Sequence, residues 1–276
     1  MEGTLVIPHS DGSGIVDEIG PGVDRAWLGR RVWIHNGQRN GRVHGTAAQY
    51  IALSVDLVAE LPEHTAFSQG ACLGIPCMTA HRCVTLGGDL NGKTVLVSGG
   101  AGAVGHYAVQ WAKRFGARVI TTVSSAAKAE HARAAGADLV LNYRTEDIAR
   151  QVRALVGDPG VNHIVDVDFG GNLPVFWPLI ATNGSIAFYA TNGNTAPVFA
   201  ASEAMRRNIS LHAVVLNGVP LRARQRAQAD IGEWLNSGGM VHTVSSVHAL
   251  RNTTQAHAAV ESGTKRGTVV VDCTQV

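Results

Sequence analysis

The 24 residues Lys93 to Gly116, KTVLVSGGAGAVGHYAVQWAKRFG, constrain this chain more than any other stretch. Thr94 to Val97 is a short β-branched run of the kind buried in a parallel sheet, and it stops at Ser98-Gly99-Gly100. After it, Val104, Tyr107, Ala108, Trp111, Ala112 and Phe115 recur at three- and four-residue spacing, which predicts a helix closed by Gly116. Gly99, Gly102 and Gly105 fall between strand and helix as G-x-x-G-x-x-G. Glycine there permits unusual backbone angles, admits a pyrophosphate close to the backbone, and lets helix pack on strand. The N–H groups and positive dipole end of the helix then face the phosphates. In a chain with 32 glycines the triplet alone is weak, but between this strand and this helix it predicts a dinucleotide site.

The second strand bears on which dinucleotide. NAD-binding units carry Asp or Glu about 20 residues beyond the first glycine, where it accepts from the ribose hydroxyls. Here the strand Arg118 to Val123 ends in Ser124-Ser125, and no carboxylate occurs between Asp89 and Glu130. Lys128 adds a cation one turn into the next helix, with Ser125 as a small hydroxyl donor. The pattern favours NADPH over NADH. Ser125 as a plain helix cap and Lys128 as a solvated side chain is the competing reading, and the two roles are compatible.

At 276 residues and 45% hydrophobic, the chain can bury a large core in one or two domains. A net charge of +2 with no polybasic tract gives no sign of a nucleic-acid or anionic-membrane partner. The pair Arg206-Arg207 and the series Arg222, Arg224 and Arg226 read as solvated helix faces. No apolar stretch approaches a membrane span and no leader pattern opens the chain, so a cytoplasmic location is expected. Cys72, Cys77, Cys83 and Cys273 form no C-x-x-C pair and lack zinc-type spacing to histidine, so buried or free thiols are expected.

Residues 1 to 80 read as β-rich, with GSGIVDEIG, RRVWIH and AAQYIAL as strand candidates between glycine-containing turns. From Thr94 onward strand and helix alternate. Strands are expected at Leu139–Tyr143, His163–Val167, Ser185–Tyr189 and Ile209–Leu216, with a helix near Glu146–Val156. That alternation specifies an α/β fold, a doubly wound parallel sheet covered on both faces. Leu221–Asn236 and Thr253–Ser262 read as helices and Thr268–Val271 as a closing strand, so the chain is expected to return to its first domain.

The motifs IPHSDGSGIVDEIGPGV, GTAAQYIAL, LPEHTAFSQGACLGIPCMTAHR, VLVSGGAGAVG, AAGADLVLNY and HAAVESGTKRGTVVVD run nearly end to end. Through them the chain resembles the zinc-independent, zeta-crystallin-like quinone oxidoreductases of the medium-chain dehydrogenase/reductase superfamily. The resemblance implies a GroES-like catalytic domain from residues 1–80 and 217–276 and a Rossmann NADPH-binding domain from 81–216. It implies that Gly102, Ala103 and Val104 line the pyrophosphate and that Ser125, Lys128 and Tyr143 surround the adenosine 2′-phosphate. Thr79 would approach the nicotinamide, and Phe188, Tyr189, Ala190, Leu216 and Asn217 would frame its carboxamide. The strand Ile209–Leu216 resembles the edge by which family members form homodimers. Tyr50, Thr79 and His81 are candidates near the reacting atoms by motif position, but no constellation singles out a general acid. Zinc-dependent relatives carry Gly-His-Glu where this chain has His9-Ser10-Asp11, so Ser10 falls at the ligand position and no metal is expected. His9, one position out of register, reads as a hydrogen-bonding structural residue. By motif position the chain starts about fifty residues into the family pattern, so an N-terminally short catalytic domain with exposed edges is expected. The activity implied is NADPH-dependent reduction of a small quinone or α,β-unsaturated carbonyl. Nucleotide binding without turnover, as in a crystallin-like or regulatory relative, is the alternative.

Overall fold

The computed structural model describes residues 5–275. The first third of the chain forms β1 (Gly12–Ile15), β2 (Arg31–Ile34), β3 (Val58–Glu60), α1 (Phe67–Gly70) and α2 (Met78–Thr85). A strand–helix alternation follows: β4 (Thr94–Val97), α3 (Ala103–Arg114), β5 (Arg118–Val123), α4 (Ala126–Ala134), β6 (Leu139–Asn142) and α5 (Ile148–Val156). It continues through β7 (Val161–Asp166), α6 (Phe169–Phe176), β8 (Ile180–Phe188), α7 (Ala201–Arg207) and β9 (Ser210–Ala213). The chain closes with α8 (Leu221–Ser237), β10 (Val244–Ala249), α9 (Thr253–Glu261) and β11 (Thr268–Asp272). Two compact units result, Met1–Met78 with Leu216–Val276, and Thr79–Val215.

The second unit is a Rossmann-like parallel sheet of six strands in the order β6-β5-β4-β7-β8-β9. Helices cover strands whose side chains are hidden on both faces: Val95, Leu96, Val97, Val119, Ile120, Ile164 and Val165 are all 0% exposed. Such burial needs the near-continuous apolar runs read in the sequence. His163 is buried in this core. Its Nε2 is 2.9 Å from the Cys83 carbonyl, which can only accept, so Nε2 carries the proton and Nδ1 accepts from Ser185 Oγ at 2.7 Å. Burial holds its pKa down at about 4. The imidazole is therefore a neutral tie joining β7, β8 and the end of α2.

The first unit holds a smaller antiparallel sheet, β1-β2-β3, resembling part of a GroES-like domain, and a parallel pair β10-β11 with α9 between them in sequence.

Several sequence readings require correction. AAQYIAL forms no strand, because the Thr46 and Ala47 N–H groups bond the His9 and Pro8 carbonyls at 3.0 Å and pin the start of the segment to another loop. The third strand is Val58–Glu60 instead. Helix α6, FGGNLPVF, was not expected from a segment with two glycines and a proline. Its glycines are needed for close approach, since a Cβ on Gly170 would fall 1.9 Å from the Asn194 carbonyl. Arg207 is no solvated cation: it donates to the Ile180 carbonyl and to Glu203, beside the Trp177 ring.

Candidate functional site

The sheet order reverses direction between β4 and β7, because the chain runs from β4 outward to β6 and then returns to β7 on the other side. In open α/β sheets, ligands bind outside the carboxyl ends of the strands at such a switch point. The glycine turn leaves β4 there. Gly99 has φ +67°, a left-handed angle that favours glycine. A Cβ on Gly105 would lie 2.2 Å from the Gly99 carbonyl oxygen, and one on Gly100 would lie 2.1 Å from Thr121 Oγ1. A Cβ on Gly102 would meet only the Gly99 oxygen, at 3.2 Å. So Gly99 makes the bend, Gly100 and Gly105 let elements pack, and Gly102 leaves an open approach. Gly102 caps α3 with no side-chain cap, and the first helical bond comes from His106 N to the Gly102 carbonyl at 3.0 Å. The N–H groups of Ala103, Val104 and Gly105 precede that bond and have no helical acceptor. The cradle suits a diphosphate.

Beneath the turn lies a network the sequence reading missed. Asp166, 1% exposed at the end of β7, accepts through Oδ1 from Ser98 Oγ at 2.7 Å, Asn172 Nδ2 at 2.7 Å and the Asp168 N–H at 3.0 Å. Ser98 Oγ in turn accepts from the Val167 N–H at 2.8 Å. Burial raises the Asp166 pKa from its ordinary value, against the pull of these donors. The network clamps the ends of β4 and β7, the two strands that bound the switch point. An acid closing an apolar strand, VNHIVD, was the available signal.

Phe188, Tyr189 and Ala190 run along the same edge. Phe188 stacks on Phe169 at 4.3 Å, Tyr189 N–H donates to the Asp166 carbonyl at 3.1 Å, and the Ala190 carbonyl accepts from Phe169 N–H at 3.0 Å. Burial also pushes the Tyr189 phenol above its ordinary value.

At the end of β5, Ser125 Oγ caps α4 by accepting from the Lys128 N–H at 3.3 Å, and Lys128 Nζ donates to Ser124 Oγ at 3.0 Å. Tyr143 follows β6; its N–H bonds the Val123 carbonyl at 3.0 Å and the residue is 54% exposed. Glu146, on this edge, directs Oε1 to the Asn142 N–H at 2.6 Å. The strand end thus presents two hydroxyls, an ammonium and an aromatic ring, a donor set that fits a phosphate monoester.

The remaining candidates divide between the two units. Thr79 and His81 lie on α2, 4% and 2% exposed, and His81 packs edge-on to Trp111 at 4.9 Å. Tyr50, Leu216 and Asn217 belong to the first unit, where Tyr50 is 77% exposed, Leu216 is buried, and Asn217 Nδ2 donates to Asn40 Oδ1 at 3.0 Å. Catalytic zinc requires three protein ligands. Among the described residues no group of three or more His, Cys, Asp or Glu could supply them, and Ser10 Oγ donates to the Gln38 carbonyl at 3.1 Å. The donor set does not fit that metal.

Comparison with known proteins agrees with this architecture. The family model for zinc-binding dehydrogenases matches residues 103–234. A human quinone oxidoreductase is 25% identical over 257 residues, covering 93% of this chain and 76% of that protein. A mycobacterial protein solved in complex with NADPH superimposes with a TM-score of 0.82 at 28% identity, over 95% of this chain and 81% of that one. An NAD-dependent alcohol dehydrogenase superimposes with a TM-score of 0.83, also at 28% identity, over 99% and 84%. In strand order, glycine turn and these likenesses together, the chain resembles the medium-chain dehydrogenase/reductase superfamily, its quinone oxidoreductases among them.

Proposed function

We propose that this protein is an NADPH-dependent oxidoreductase that reduces quinones or α,β-unsaturated carbonyls without zinc. The observation that carries the proposal is the open glycine turn at the switch point, together with a second strand ending in Ser124, Ser125 and Lys128 in place of an acid. Gly99, Gly102, Ala103, Val104 and Gly105 hold the pyrophosphate, and Ser125, Lys128 and Tyr143 hold the 2′-phosphate. Residues 81–216 act as the nucleotide-binding domain, and residues 1–80 with 217–276 as the catalytic domain. Thr79, Phe188, Tyr189, Ala190, Leu216 and Asn217 are assigned to the nicotinamide end, with Tyr50, Thr79 and His81 as candidate proton or hydrogen-bond donors.

Bound NADPH supplies a hydride. Conjugated acceptors spread the resulting charge, so the chain needs only to orient the substrate and donate hydrogen bonds to its oxygen. The likeness to a human quinone oxidoreductase and to an NADPH-bound mycobacterial structure supports the same reading. Among the described residues no helix is long and apolar enough to cross a membrane. We assign the protein to the cytoplasm with no nucleic-acid partner, and as a homodimer joined at β9, one of the two edge strands of its sheet.

The experiment is NADPH oxidation with a para-quinone beside an NADPH titration. Turnover with saturable binding is expected. Binding without turnover across quinones and enones would overturn the enzyme and leave a nucleotide-binding protein; a preference for NADH and an alcohol would favour a dehydrogenase instead.

A further inference from the structure

His9 has φ +73°, a left-handed backbone angle that a bulky side chain rarely adopts. The loop holding it is firmly determined. Its carbonyl accepts from the Thr46 N–H at 3.0 Å, the Ser10 carbonyl accepts from the Gly37 N–H at 2.8 Å, and a Cβ on Gly45 would fall 2.3 Å from both the Pro8 and His9 oxygens. From this position the His9 ring meets His257, on α9 and 248 residues away in sequence, with 2.8 Å between the two Nε2 atoms and 61° between the ring planes. One ring must donate and the other accept, so two Nε2 positions converge on a single point. His257 is exposed, which leaves that point open to solvent.

We propose that His9 and His257 form a two-imidazole site for a divalent transition-metal ion such as Zn2+ or Ni2+. Two nitrogens bound to one tetrahedral ion at about 2.1 Å each are about 3.4 Å apart, so the pair needs to open by only about 0.6 Å. On entry of the ion the donor ring moves its proton to Nδ1 and both Nε2 lone pairs become ligands. With no third His, Cys, Asp or Glu grouped there among the described residues, water completes the shell. Such a site is exchangeable, prefers metals suited to imidazole, and clasps the 8–11 loop to α9. It differs from the three-ligand catalytic zinc for which the donors are lacking.

The test is calorimetric titration of metal-stripped protein with Zn2+ and with Ni2+ at neutral pH, with thermal unfolding in parallel. One ion per chain and a raised Tm are expected, and His9→Gly and His257→Asn should each weaken binding by about tenfold or more. His9→Gly removes the ligand while suiting the backbone angle, so the metal-free variant should fold normally and separate loss of metal from loss of structure. Cys273→Ser should leave binding unchanged, and X-ray absorption should show nitrogen and oxygen neighbours without sulfur. Absence of one-to-one binding by the unaltered chain, or full affinity retained in His257→Asn, would overturn the site. So would loss of binding in Cys273→Ser.

Discussion

The six-stranded sheet and the small β1-β2-β3 sheet are built on opposite terms. In the first, Val95, Leu96 and Val97 of β4 are fully hidden, as are Val119 and Ile120 of β5 and Ile164 and Val165 of β7. In the second, only the central strand β2 is buried, through Val32, Trp33 and Ile34, while no residue of β1 or β3 is, and side chains reaching distant backbone add to its order. Arg31 donates to the Thr65 carbonyl, His64 meets the Leu235 carbonyl, and Gln228 on α8 donates to the Val58 carbonyl at 3.2 Å. The contrast explains where chemistry can reside. A sheet covered on both faces displays its functional groups at strand ends, where the turn residues are also the folding residues. A partly covered sheet scatters them along loops.

The hardest strain on this contrast is Gly105→Ala. Its Cβ would press into the Gly99 carbonyl, and a backbone oxygen cannot swing aside as a side chain can. We expect a loss of about 3 kcal/mol in denaturant unfolding, with nucleotide binding lost as the turn is displaced. A cost near zero would mean that the turn is looser than its geometry implies.

Acid titration probes the core in another way. The folded His163 pKa of about 4 lies below the ordinary 6.5, so between these values the unfolded chain binds a proton that the folded chain refuses. Stability therefore rises with pH across the window and falls by up to about 3 kcal/mol as pH drops through it. His35 and His242 in the first unit, also held near 4 by burial, add to the slope with the same sign. His163→Asn should flatten its share, measured as urea unfolding free energy against pH.

Lys128→Ala tests the strand end without touching the core. The NADPH-to-NADH affinity ratio should fall by about tenfold or more, the worth of one charge-assisted contact, with the melting temperature nearly unchanged. An unaltered ratio would remove Lys128 from the phosphate site. The smallest effect is expected in the first unit, where Gln228→Ala removes the tie from α8 to the Val58 carbonyl and to His35. Each such bond is worth about 1 kcal/mol net, and a larger loss would show that the long-range ties of this unit act as one cooperative network.

How far the chain could be read follows the same division. The strand Thr94–Val97, its glycine turn and the helix closed by Gly116, φ +78°, were all legible, because period, turn chemistry and cap lie within one short stretch. Ser125 and Lys128 were legible for the same reason: a cap and the first turn of its helix are neighbours in sequence. AAQYIAL misled, because its alternation of apolar residues resembles a strand while its first donors are taken by a loop some forty residues earlier, near His9. Asp166 was overlooked because its partners Ser98 and Asn172 come from different elements, and Arg207, on α7, because its acceptor at Ile180 lies on β8.

By itself the sequence determined the alternation of strand and helix, the glycine turn, and the absence of an acid after the second strand. These are short-range facts, set by backbone sterics, side-chain period and the identity of a few neighbouring residues. Only the tertiary structure decided that β4 and β7 bound the switch point, that Asp166 gathers three donors there, and that His9 meets His257. Those facts depend on which distant segments share a surface, and that choice belongs to packing, where burial, close approach at glycine and hydrogen-bond satisfaction are settled together across the chain.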